Sequence, residues 1–120
     1  MRFAFVALLL ALTACGGPKL TPTGVQGRAL ATDFGCVNCH STDGSKSVGP
    51  TWKGLSGSQV ALDDGTVVNA DDTYLRESIL EPSAKTVKDF KPGLMETVIR
   101  NHSLTEKDVR SLIAYIKELK

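Results

Sequence analysis

The chain has 120 residues, enough for one domain and not two. Charged residues make up 22% and hydrophobic residues 42%, the balance of an ordinary folded protein. Residues 15–70 carry four charges of each sign and residues 71–120 carry nine of each, so no charge block marks a nucleic-acid surface or a strongly charged partner.

The first element is a targeting segment. Met1 and Arg2 precede the apolar run FAFVALLLALTA, which stops at Cys15. A basic start, an apolar core and then small residues form a secretory signal, and the run is too short to span a bilayer. Leu12 to Cys15, LTAC, resembles the lipobox of bacterial lipoproteins. That resemblance implies that residues 1–14 are a signal peptide and that Cys15 becomes the lipidated first residue. Each buried methylene contributes ~0.8 kcal/mol, so two or three acyl chains hold a protein firmly on a membrane. Residues 16–23, GGPKLTPT, read as a tether of roughly 16 Å r.m.s. span. The segment 15–23 is then lipidated Cys plus tether, and the folded domain runs over residues 24–120. Loss of Arg2 leaves the mature chain with a formal charge of zero.

Within the domain, Gly24 to about Asp33 has a helical pattern with Val25, Ala29 and Leu30 on one face. The motif CVNCH, Cys36 to His40, comes next. Residues 41–58 hold many Gly and Ser and predict an irregular loop. QVALDDGTVVNA then suggests two short strands around Asp64-Gly65, a tight-turn dipeptide, giving a small β-hairpin over about 59–69. Two strands alone are marginal, so the hairpin must pack on something else. Asp71 is a candidate N-cap for a helix to about Leu80 with Tyr74, Leu75, Ser78 and Ile79 inward, stopped by Pro82. A short helix over about Leu94–Asn101 follows. Thr105 can cap a last helix whose stripe is Val109, Leu112, Ile113, Ile116 and Leu119. The fold class is mainly α, with three to five short helices around long loops.

The CVNCH motif admits three readings. A structural zinc site needs four ligands, and no second Cys or His pair is present beyond His40 and His102. A thioredoxin-like dithiol opens a helix after a strand, whereas a helix precedes this motif and no βαβ unit follows. Attachment of a c-type haem uses all five positions: Cys36 and Cys39 form thioethers to the two vinyl groups, and His40 lies under the iron as proximal ligand. A buried macrocycle also supplies an apolar centre to a short chain with long Gly-rich loops.

The iron's other axial position needs a partner. Met95 is the only Met besides Met1 and lies beyond a Pro-Gly turn in FKPGLMET, on a loop able to wrap the far side of the ring. A thioether there raises the reduction potential and suits electron transfer. His102, in the polar context RNHSLT, is the alternative ligand, and otherwise an exposed bystander. A carbonyl at Gly49-Pro50 can accept the proximal imidazole N–H and fix its tautomer. Trp52 and Tyr74 are amphipathic aromatics able to reach haem propionates or to serve as core.

These blocks resemble a known family. GRAL with Gly27 and Leu30, then GCVNCH, VGPTWKGL, and LTEKDVRSLIAYIKEL with Tyr115, are similar to class I mono-haem cytochromes c. The resemblance implies a cytochrome c-like fold around a covalently bound haem, with Gly27 and Tyr115 where the first and last helices cross. VALDDGTVVNADDTYLRESILEPSAKTV is similar to the cytochrome c domain fused to subunit II of some bacterial haem–copper oxidases, here without a copper-binding domain. The family places Pro after its ligand Met where this chain has Glu96. It also places an aromatic residue at the position of Ala31, near which Phe34 offers a substitute.

The implied function is single-electron transfer by a monomeric, membrane-anchored carrier outside the cytoplasm. Its expected partners are redox proteins of a respiratory-type chain: a terminal oxidase, a cytochrome bc-type complex or a dehydrogenase. Two alternatives stay open at the level of sequence. One is a haem-bearing subunit of a larger oxidoreductase. The other is a small haem peroxidase or sensor with an open or labile sixth position.

Overall fold

The computed structural model describes Gly17 and residues 19–120. The signal segment and the lipobox ending at Cys15 lie outside the described residues. Four α-helices and one two-stranded sheet follow in the order α1 (Pro22–Asp33), β1 (Gln59–Ala61), β2 (Val67–Asn69), α2 (Asp72–Leu80), α3 (Leu94–Arg100) and α4 (Glu106–Glu118). No helix among the described residues is long and apolar enough to cross a membrane.

Helix α4 forms for the reasons its sequence suggests. The Thr105 hydroxyl accepts from the Asp108 N–H, and the Asp108 carboxylate accepts from the Thr105 N–H at 2.9 Å, a reciprocal capping box. Its inward face buries Val109, Leu112, Tyr115 and Ile116, and each such apolar side chain contributes roughly 1.5–3 kcal/mol.

Helix α1 is a different case. Its two glycines each cost about 1 kcal/mol relative to Ala in a helix interior, so local propensity does not explain it. Packing on α4, its main partner, and good termini do. Pro22 occupies the first helical position. The Thr21 hydroxyl accepts from the Gly24 N–H at 3.1 Å, and Glu118 at the end of α4 accepts from the Thr21 N–H at 3.0 Å. The helix thus takes in Pro22 and Thr23, which the sequence reading leaves in the tether.

The buried face of α1 is also not the expected one. Gly24, Gly27 and Ala31 face inward, while Val25 and Ala29 are exposed and Leu30 is half-buried. The reason is backbone proximity. A Cβ on Gly27 would lie 1.9 Å from the Ser111 carbonyl oxygen and 2.8 Å from the Tyr115 Cβ. The crossing of first and last helices at Gly27 and Tyr115 is therefore present, and only a residue without a side chain fits it.

The hairpin pairs Val60 with Val68 and closes through a three-residue loop, Asp63 to Gly65, with the Leu62 N–H donating to the Thr66 carbonyl at 2.9 Å. The needed third partner is the segment 86–88. The Asp63 N–H donates to the Thr86 carbonyl and the Lys88 N–H to the Ala61 carbonyl, both at 3.0 Å, and Leu62 bridges Val87. Helix α2 has the expected cap, with the Asp71 carboxylate accepting from the Tyr74 N–H at 2.8 Å, and buries Tyr74, Leu75 and Ile79.

Two outcomes test this account of the fold. Gly27→Ala should destabilise the haem-loaded protein by about 1–3 kcal/mol in urea unfolding, whereas Ala29→Ser on the exposed face should stay within about 0.5 kcal/mol. The second concerns acid. Hydrogen bonds from the Thr105 N–H and hydroxyl hold the Asp108 carboxyl below its usual range. That contribution is present above the ordinary carboxylate value and is lost as pH falls through the lower folded value. The stability gap between wild type and Asp108→Asn should be constant near neutrality and close below about pH 4; a gap that persists in acid would contradict this origin.

Candidate functional site

The end of α1 sets the site. Gly35 is left-handed, with φ of 73°, and turns the chain into a 3-10 turn over Cys36–Asn38. The His40 N–H donates to the Cys36 carbonyl at 3.0 Å, which winds Cys36, Cys39 and His40 together. Both thiols are unpaired and half-buried. Burial pushes the Cys36 thiol above its ordinary value, the opposite of the low-pKa thiolate that a thioredoxin-like centre requires. No group of three or more metal-binding side chains of the zinc-site kind occurs among the described residues.

The loop after the motif is tied back across it. The Gly49 N–H donates to the Cys39 carbonyl and the Trp52 N–H to the Ser41 carbonyl, each at 2.8 Å. This brings the Pro50 carbonyl to 2.7 Å from His40 Nδ1. A carbonyl can only accept, so Nδ1 carries the proton and Nε2 is the nitrogen with a lone pair to offer. Burial lowers the His40 pKa, with the Pro50 bond opposing it, so the imidazole is neutral and suited to a metal near pH 7. A Cβ on Gly49 would lie 2.7 Å from His40 Cε1, which makes a glycine necessary for this ring position.

Cys36, Cys39 and His40 line one shared, partly open cavity. Pro50, Trp52, Tyr74 and Met95 line it as well, and its remaining walls are largely aliphatic, including Leu75, Ile79 and Ile116. Cys36, Cys39, His40, Pro50, Trp52, Tyr74 and Met95 therefore face a single space, and the alternative ligand His102 does not. Met95 is half-buried in the first turn of α3, not on an extended loop, with left-handed Gly93 as the cap before it.

Trp52 takes the core role that the sequence allows it, and His102 is placed differently from the sequence expectation. Trp52, 5% exposed, lies against the imidazole of His40, with ring centroids 5.1 Å apart and planes 17° apart. Its other neighbour is Tyr115, edge-on at 6.1 Å. His102 is half-buried, not an exposed bystander, and stacks on Phe34 at 4.5 Å. It lines a small adjoining cavity that it shares with Met95 and Cys36, but not the large one. Ala31 is fully buried, and Phe34 serves this stack on His102.

Pro82, Val87 and Phe90 also line the cavity, as does Lys85, which pairs with Glu77. Their only sequence signal is the unpartnered edge of the hairpin, which demands a strand-like segment somewhere downstream. Burial pushes the Tyr74 phenol above its usual value, so its hydroxyl stays protonated and available as a donor.

The chain belongs to the cytochrome c family: the family model for cytochrome c matches residues 25–120. Comparison with curated proteins finds no match. Membership makes this a haem-binding electron-transfer protein with a c-type haem attached covalently through Cys36 and Cys39. The local structure fits that group. Two free thiols three residues apart, a neutral imidazole with a fixed tautomer, and a large apolar cavity converge on one place. In Cys36→Ala/Cys39→Ala, haem staining after denaturing electrophoresis should vanish; a stained band would show attachment elsewhere.

Proposed function

We propose that this protein is a membrane-anchored electron carrier whose haem iron is held axially by His40 Nε2 and Met95 sulfur. The observation that carries this reading is that His40 and Met95, far apart in sequence, line the same apolar cavity as the two thiols. The haem supplies a one-electron Fe(III)/Fe(II) couple when bound. The chain's residues set how that couple behaves. The Pro50 carbonyl accepts a hydrogen bond from Nδ1–H and makes Nε2 a better electron-pair donor. Met95 brings a thioether that favours the reduced state. Filling both axial positions with side chains leaves none open to dioxygen, which separates a carrier from a peroxidase. Tyr74 lines the cavity and offers its hydroxyl to a haem propionate.

The lipobox at Cys15 supports an extracytoplasmic location at a membrane surface. The partners are then redox proteins of a respiratory-type chain, such as a terminal oxidase, a cytochrome bc-type complex or a dehydrogenase. Docking with them is small and weak, as turnover requires. The tether raises the effective concentration of the domain near membrane-bound partners.

Met95→His should lower the midpoint potential sharply in redox titration while keeping a low-spin spectrum; an unchanged potential would remove Met95 as a ligand. Cys15→Ser should move the protein from the membrane fraction to the soluble extracytoplasmic fraction. Persistent membrane association of that variant would refute the lipid anchor.

A further inference from the structure

The ring of Trp52 is the closest aromatic neighbour of the His40 imidazole, and its placement is over-determined. It is 5% exposed. Its N–H backbone donor is engaged with the Ser41 carbonyl at 2.8 Å. The edge-on contact with Tyr115, at 6.1 Å and 87°, holds the indole from another side. Tyr115 in turn sits at the helix crossing, with its Cβ 2.8 Å from where a Gly27 side chain would begin. The indole is thus held by contacts that do not involve the imidazole.

The hydrogen bond from His40 Nδ1 to Pro50 does not by itself fix the ring. One bond at 2.7 Å sets a direction and leaves rotation of the ring plane about that direction. The nearly parallel indole face, 17° from the imidazole plane with centroids 5.1 Å apart, removes that rotation. This offset separation is the favoured one for stacked rings.

We propose that Trp52 is a positioning residue for the proximal ligand, fixing the plane of the His40 imidazole and biasing the protein toward its oxidised form. The proposal rests on His40 being the iron ligand. The sign follows from charge. An imidazole bonded through Nε2 to ferric iron is more electron-poor than one bonded to ferrous iron. The negative face of an indole stabilises the electron-poor partner more. Reduction takes one electron from an external couple, relieves that electron deficiency and weakens the stacking. Trp52 thus opposes Met95, which favours the reduced state.

The test uses the haem-loaded protein equilibrated with an iron-complex reference couple. Trp52→Leu keeps an apolar side chain and deletes the ring face. It should shift the electron-exchange equilibrium toward reduced protein by about threefold, part of the energy of one ring stack. Trp52→Phe retains a face and should stay near wild type. In the reduced wild-type protein, proton NMR should show contacts between the indole and the His40 ring. Their absence overturns the proposal, whether or not the Leu variant holds haem. So does an unchanged equilibrium in Trp52→Leu, or an equal shift in both variants. A wild-type spectrum without a low-spin haem would instead refute His40 and Met95 ligation, a distinguishable failure.

Discussion

The backbones of α1 and α4 touch at Gly27, and the geometry of the site follows from that contact. No side chain fits between Gly27 and the Ser111 carbonyl, so the two helices cross at a single position. From that crossing α1 runs on to Asp33, and the 3-10 turn Cys36–Asn38 that leads into Cys39 and His40 follows. At the crossing Tyr115 lies against Trp52, and Trp52 against His40. The helix crossing is thus linked through Tyr115 and Trp52 to the His40 imidazole. The cost of two glycines in α1 is offset by this close approach and by the caps that Thr21 and Glu118 supply.

The second constraint is the shape of the core. Trp52, Val60, Tyr74, Leu75, Ile79 and Ile116 are all buried, yet all line the same large cavity. Their apolar surface gains its full worth only against an apolar group of comparable size. A bound haem would supply that surface, as a structural metal completes the core of small metal-centred domains. The hairpin and the segment 86–88 serve the same end. Val60 of the hairpin and Thr86 and Val87 of the segment tied to it line the cavity.

Much of this was legible in the residues, and what was not has a common physical cause. Helix α4 was readable because a stripe of large apolar side chains and a capping pair are local signals. The CVNCH turn and the Pro50 carbonyl were readable because ligand chemistry demands certain residue types at certain spacings. The inner face of α1 was misread because hydrophobic periodicity looks for large side chains, and a close helix crossing is marked by their absence. The pairing of Leu62 with Val87, the inward turn of His102 onto Phe34, and the stacking of Trp52 on His40 are contacts between distant segments, with no local pattern to announce them. Trp52 is instructive. Its burial followed from its type, but its partner depended on how the loop is tied back to Cys39 and Ser41.

In the proposed function one iron is held between the imidazole of His40 and the thioether of Met95. The most direct measurement is the visible absorption spectrum of the purified, oxidised protein at neutral pH. A low-spin spectrum with the weak sulfur-to-iron charge-transfer band at its red edge is the predicted result. A high-spin ferric spectrum lacking that band, or a colourless protein, would contradict it.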